Sequence, residues 1–368
     1  MPYRLGLDVR LTYYTGGGIA RYIRHLAAEL PTLAPADQHV HLYRRGHSET
    51  FSARARRVNC WTPAHHRLER WTLSAEAALH RLDLLHSPDF IPPRAGYRRS
   101  VITVHDLTFL LYPEFLTPDS RRYYNDQIAW AVRRTDAISA DSHATKSDLV
   151  ERLGVPPEKV TVIHLGLDEG FHGDGEASGP TLAAMGLAPG YVLFVGTFEP
   201  RKNVSGLLEA YARLRSALPD APPLVVAGRR GWLFEVVQTR LRELRLEAHV
   251  RFFEEVSEAQ LKALYHGAGV FVLPSHYEGF GFTVLEAMAS GAPAVVANRA
   301  SLPEIAGDAA LRVEPDDPDA IASSLQRVLT DSALRSEMVQ RGQAQAQRFT
   351  WAKTAEATLD LYRRVLAY

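Results

Sequence analysis

The chain has 368 residues, a length that suits two domains of ordinary size better than one. With 46% hydrophobic and 23% charged residues it can build a large core, which excludes an intrinsically disordered protein. Its 42 Lys and Arg balance 42 Asp and Glu, so no global field draws it to nucleic acid or an anionic membrane, and partners must be recognised locally.

In chain order, the first expected strand is 5–9. Thr15-Gly16-Gly17-Gly18 follows, and then Ile19, Tyr22, Ile23, Leu26 and Leu30 recur at helical spacing, which makes a strand, a glycine loop and a helix. Further strands are expected at 82–86, 101–104, 137–139 and 160–164. Basic residues gather in this half, with Arg54, Arg56, Arg57, Arg67, Arg70, Arg94, Arg98 and Arg99 forming either a solvated face or a surface for an anionic acceptor or a membrane. The lone Cys60 excludes a disulfide framework and a cysteine-cluster zinc site, in keeping with a reducing cytoplasm.

From Gly166 to Gly190 the chain turns rich in Gly, Pro, Ala and Ser, the composition of a linker, placed at 173–189. Strands then resume at 191–195, 224–227, 250–253, 270–273 and 294–297. Ser257 with Gln260 and Ser301 with Glu304 have capping-box spacing, Asn203 is placed to cap the next helix, and Gly291 to close the helix that starts near Thr283. The stretch 351–368 reads as an amphipathic helix whose partner spacing alone does not give. Strands alternating with helices predict an α/β protein of two doubly wound, Rossmann-like domains, 1–172 and 190–350. No basic-then-apolar leader and no bilayer-spanning apolar run is seen, so the expectation is a cytoplasmic chain, free or held peripherally at the inner face of the membrane.

In such sheets ligands settle beyond the carboxyl ends of the strands. The richest post-strand segment is 274–286, which contains Glu278, Gly279, Phe280, Gly281, Phe282, Thr283 and Glu286. Gly279 and Gly281 let the backbone bend or approach a ligand, and the free N–H groups of the following helix favour a diphosphate. Glu286, one turn inside, is placed to accept from two adjacent hydroxyls of a ribose, while Glu278 lies on the other side of the phosphates. Alone, each glutamate reads as a structural residue. A carboxylate among Val284, Leu285, Ala287 and Met288, however, needs a partner. In the segment 194–203, Gly196 leads to Arg201 and Lys202 at a helix start, where cations oppose the dipole unless an anion is present. His105 follows the expected strand 101–104 beside Asp106, and Ser142 and Lys146 follow another strand end, either as cap and surface residue or as contacts to acceptor or phosphate.

The Glu278 to Glu286 segment, with seven residues between its glutamates, and Glu199-Pro200-Arg201-Lys202-Asn203 resemble the donor-site motifs of retaining family-4 glycosyltransferases of the GT-B fold. The likeness extends to the glycine loop, Val104-His105-Asp106, Ala140-Asp141-Ser142, 162–166 and Phe349-Thr350-Trp351. It implies an acceptor-binding first domain, a nucleotide-sugar-binding second domain, a central cleft that they face, and a terminal helix 351–368 that packs back on the first. It also implies Glu278 and His105 at the transferred sugar, Glu286 at the ribose, Arg201 and Lys202 at the diphosphate, and Gly16 and Gly17 near acceptor and donor phosphates. Thr197 departs from the family, standing where many relatives carry Arg.

The resemblance also places Glu254 and Glu255 in the stretch near the base, where a glycine is common in the family; a carboxylate there would accept from the N1 and N2 donors of guanine that uracil lacks. That points to a GDP-sugar. The segments 105–109 and 199–202 are similar to those of mannosyltransferases of bacterial surface polysaccharide assembly, which makes GDP-mannose the expected donor. A saccharide or lipid-linked saccharide is the expected acceptor, with no cofactor, no metal and no nucleic acid. The alternatives are a UDP-glucose-type donor, an epimerase or phosphorylase, or an inactive nucleotide-sugar-binding subunit. A dinucleotide oxidoreductase fares poorly because no strand leads into GxGxxG.

Overall fold

Short apolar runs separated by amphipathic stretches have one economical solution, parallel strands joined by crossover helices that bury both faces of the sheet. The computed structural model, which describes residues 2–115, 118–173, 175, 178–229 and 234–367, contains two such sheets in two compact units.

The first unit comprises Met1–Gly166 and Phe349–Tyr368. Its strands are β1 (Arg4–Asp8), β2 (Gln38–Arg44), β3 (Arg56–Cys60), β4 (Leu82–Ser87), β5 (Tyr97–Val104), β6 (Ala137–Ala140) and β7 (Val160–Val162), in the order β3-β2-β1-β4-β5-β6-β7. All neighbours are parallel. Strands β2 and β3 are additions to the sequence expectation. In β2 the polar-looking His39 and His41 are buried, and burial holds His41 neutral with a pKa lowered to about 4. β3 escapes notice because it is an edge strand with exposed arginine.

The helix Trp351–Ala367 packs on this unit. Its Tyr362 hydroxyl lies 2.6 Å from His86 Nδ1 on β4, the other ring nitrogen lies 2.8 Å from Thr103 Oγ1, and that hydroxyl meets Tyr22 Oη of the helix Gly18–Leu33 at 2.9 Å. Burial lowers the His86 pKa to about 3, so the ring joins this chain as neutral imidazole, one nitrogen donating and the other accepting.

The second unit, Leu167–Arg348, holds β8 (Tyr191–Val195), β9 (Leu224–Ala227), β10 (Val250–Phe253), β11 (Ala268–Leu273), β12 (Ala294–Ala297) and β13 (Ala310–Val313), in the order β10-β9-β8-β11-β12-β13, again all parallel. The edge strand β13 was not expected. The segment 173–189, read above as a linker, instead belongs to the second unit. It contains the helix Ser178–Ala184 and buries Leu182 and Leu187, apolar anchors that its small-residue composition hides.

Candidate active site

In the second unit the strand order reverses between β8 and β11, which are hydrogen-bonded neighbours although β9 and β10 intervene in the chain. Segments leaving the two strands diverge and leave room for a ligand at such a point. After β8 the chain passes Gly196 and makes a short helical turn, Pro200–Lys202. Asn203, at φ +55°, then caps the helix Val204–Ala217 by accepting from the Gly206 N–H, as expected. Arg201 and Lys202 are thereby held against the loop that leaves β11, where the His276 N–H donates to the Arg201 carbonyl at 2.7 Å.

Glu278 receives both cations. Lys202 Nζ stands 2.5 Å from its Oε1, Arg201 Nη1 stands 3.0 Å from its Oε2, and the Ser275 hydroxyl donates to Oε1 at 2.8 Å. Arg201 also reaches the Tyr277 carbonyl at 3.1 Å and Glu199 Oε2 at 2.9 Å. Burial alone would push the Glu278 pKa up, but Lys202 and Arg201 together outweigh it and hold the carboxyl below the usual range. For Lys202 burial is the larger effect and brings its pKa down, with Glu278 opposing. The cluster is buried and charged. It can transfer its cations to an anion that arrives with charge of its own.

The loop continues through Gly279 and Phe280 to Gly281, whose φ of +109° only glycine adopts readily and which starts the helix Phe282–Ala289. The Ser301 hydroxyl lies 2.8 Å from the Glu278 carbonyl and 2.7 Å from that of Phe280. It therefore makes no capping bond to its own helix, which corrects the capping-box expectation for Ser301 and Glu304; the Ser257–Gln260 box is present. Phe282 and Thr283 are half-buried at the helix start. Glu286 is buried one turn later and accepts from the Tyr265 hydroxyl at 2.9 Å.

Glu254 and Glu255 are exposed just past β10, which is separated from β8 by β9, so they stand apart from the cluster at the sheet edge. Gly196 has a packing role: a Cβ on Gly228 would lie 1.9 Å from the Gly196 carbonyl oxygen, so the turns after β8 and β9 touch through backbone.

The remaining predicted residues belong to the first unit. Gly16 and Gly17 are exposed at the start of the helix Gly18–Leu33, with no side-chain cap; a Cβ would meet open space at Gly16 and only the Thr15 hydroxyl, at 3.6 Å, at Gly17. Ser142 caps its helix and Lys146 donates to the Val160 carbonyl at 2.8 Å, structural roles for both. His105 sits past β5 with Nδ1 2.7 Å from Asp141 Oδ2 and Nε2 3.0 Å from the Pro88 carbonyl. Burial would lower its pKa, but Asp141, aided by Asp89 and Pro88, raises it to about 9, so the ring is a cation donating from both nitrogens. A sugar hydroxyl would have to displace the Pro88 carbonyl to reach it.

Four partners escaped the sequence reading: Ser275 and Glu199 in the ion cluster, Ser301 under the loop and Tyr265 on Glu286. Ser275, directly after a strand and three residues before Glu278, carried a positional signal. Tyr265 and Ser301 meet their partners only through tertiary packing.

A family model described as glycosyl transferases group 1 matches residues 187–345, and one described as glycosyltransferase family 4 matches residues 16–171. The chain is 33% identical over 308 residues to the O-antigen chain mannosyltransferase B of Escherichia coli, covering 83% of this chain and 80% of that protein. It is 31% identical over 281 residues to the serotype-specific mannosyltransferase WbdA of the same species, of whose length it spans 34%. Among solved structures, the sucrose-phosphate synthase of Thermosynechococcus elongatus superposes with a TM-score of 0.78 at 21% identity, covering 99% of both chains. Sequence relationship across both units and structural likeness in the folded chain agree, and the protein belongs to the family-4 glycosyltransferases of the GT-B fold.

Proposed function

We propose that this glycosyltransferase moves a mannosyl residue from GDP-mannose, with retention of configuration and without a metal ion, to a saccharide or lipid-linked saccharide acceptor. The observation that carries the reading is the Arg201–Lys202–Glu278 cluster at the β8/β11 reversal, beside the start of the helix Phe282–Ala289. Departure of the leaving group builds negative charge on the diphosphate and positive charge on the sugar, and fixed cations with helix N–H groups stabilise the former. Arg201 and Lys202 supply that charge without a metal.

Both Glu278 oxygens are engaged, which supports a positioning role for this carboxylate and same-face attack by the acceptor as the phosphate departs and takes its proton. Glu286, oriented by Tyr265, serves the ribose. The mannosyltransferase relatives support mannose, and carboxylates past β10 support guanine: β8 and β10 are two strand spacings apart, about 10 Å, the scale separating a nucleotide's phosphates from its base.

The test is thermal unfolding with GDP, UDP, ADP and their mannose, glucose and N-acetylglucosamine conjugates, with and without EDTA, since a ligand of the folded state raises the melting temperature. A rise selective for GDP and GDP-mannose that survives EDTA is expected. A rise with UDP-glucose instead moves the donor to the alternative, and no rise with any nucleotide overturns the reading. Retention is checked by the anomeric configuration of the product, and a glycosyl adduct trapped on the protein would rule out same-face attack.

A further inference from the structure

We propose that the outer face of the helix Glu69–Ala78 in the first unit is a docking surface for an anionic lipid bilayer. This helix has two apolar faces. The inner one, Leu73 and Ala77, is buried, as a core-facing stripe should be. The outer one runs Leu68, Trp71, Thr72, Ala75 and Leu79, also at helical spacing, and all of it is exposed, with Leu68 at 56%, Trp71 at 58% and Leu79 at 79%. A single exposed apolar side chain is ordinary, but a contiguous stripe marks a surface that meets a partner.

The surroundings extend the stripe. The Glu76 carboxylate accepts the Trp61 N–H at 2.7 Å and the Thr62 N–H at 3.0 Å, which brings Trp61, 69% exposed, beside the helix. On the other flank the Arg94 N–H donates to the Arg70 carbonyl at 2.9 Å. Both exposed tryptophans carry a guanidinium: Arg45 lies 3.5 Å over the Trp61 ring and Arg94 lies 4.4 Å over Trp71. Arg67 is exposed one residue before the stripe. Between Trp61 and Leu79 the acids are Glu69, buried against Arg10, and Glu76, held by backbone N–H groups, so this stretch sets cations beside the stripe with both of its carboxylates already engaged.

That charge pattern chooses the occupant. A second copy would meet this face across a two-fold axis, setting arginine against arginine with no acid to neutralise either. Lipid phosphates complement it: tryptophan and leucine enter the boundary between headgroup and acyl chain while the guanidinium groups stay with the phosphates. Among the described residues no helix is long and apolar enough to cross a membrane, so the proposed contact is made by this surface lying on the bilayer. The inference is independent of which sugar the enzyme moves.

The test is flotation of the whole protein with vesicles of phosphatidylcholine alone and of phosphatidylcholine mixed with phosphatidylglycerol. Binding to the mixed vesicles, weakened by salt, is expected, together with a loss of at least about tenfold in Trp71→Ser/Leu79→Ser and in Arg45→Gln/Arg94→Gln. Each variant should keep the nucleotide-induced rise in melting temperature of the unaltered chain, which shows that the fold and the donor site are intact. The proposal is overturned if the unaltered protein does not float, if the variants float as well as it does, or if Trp71→Ser/Leu79→Ser instead converts a dimer to a monomer, which would make a second copy the partner.

Discussion

Lys202 Nζ and Glu278 Oε1 stand 2.5 Å apart in space and 76 residues apart in the chain, one past β8 and the other past β11. Because the pair is buried, its members cannot be removed independently. Lys202→Ala should lower kcat about 10²- to 10³-fold, the effect of deleting one preorganised charge from a leaving-group site. Glu278→Gln leaves buried Lys202 without its counter-charge and Arg201 with Glu199 alone, and should cost about 3 kcal/mol of stability as well as activity. Glu278 has a depressed pKa, so its contribution is present above the ordinary carboxylate range and lost as pH falls through the folded value. Urea unfolding of Glu278→Gln should therefore lose part of the acid-side decline of the unaltered protein.

The His105–Asp141 pair predicts the opposite pH dependence. The folded pKa of His105, about 9, is raised above the ordinary value of 6.5, so its stabilisation is complete below about pH 6.5 and disappears as pH rises through about 9. The difference corresponds to on the order of 3 kcal/mol. His105→Asn should flatten the alkaline decline in unfolding free energy over that window, and a histidine proton titrating near 6.5 in the folded protein would contradict the assignment.

Tyr265 and Glu286 separate orientation from binding. Glu286→Ala should abolish the nucleotide-induced rise in melting temperature, whereas Tyr265→Phe removes one hydrogen bond and should weaken nucleotide affinity by about tenfold, as read by calorimetry. Equal losses in the two variants would assign the binding function to the pair as a unit.

Gly228 has φ +154°, and any Cβ there meets the Gly196 carbonyl oxygen at 1.9 Å. Gly228→Ala should cost 1 kcal/mol or more, roughly the strain of an overpacked or forbidden backbone position. It should also disturb the turn that leads to Arg201, so the urea midpoint and donor affinity should fall together.

Legibility in the sequence followed the locality of the signal. The segments around Glu278 to Glu286 and Arg201-Lys202 were readable because strand, loop, glycine and helix cap lie within about a dozen residues, and their order alone places them at strand ends. Strands β2, β3 and β13 were not, because buried His39 and His41 look polar in sequence and edge strands keep charged residues. His105 was found, but its state was not: Asp141 on one side and the neighbouring Pro88 carbonyl and Asp89 on the other come from two distant stretches of chain, and only the fold sets their charge balance. Ser301 shows the converse. Its local capping pattern was sound, yet two carbonyls from a distant loop claimed its hydroxyl.

The link between Tyr362 and His86 spans 276 residues and encloses the whole second unit. During synthesis the first unit therefore leaves the ribosome incomplete, with the polar chain of Tyr22, Thr103 and His86 lacking its last hydroxyl. The second unit is synthesised entire before the helix Trp351–Ala367 exists. The half begun first is finished last, and a chain truncated within the final helix is able to form the second unit but not to close the first.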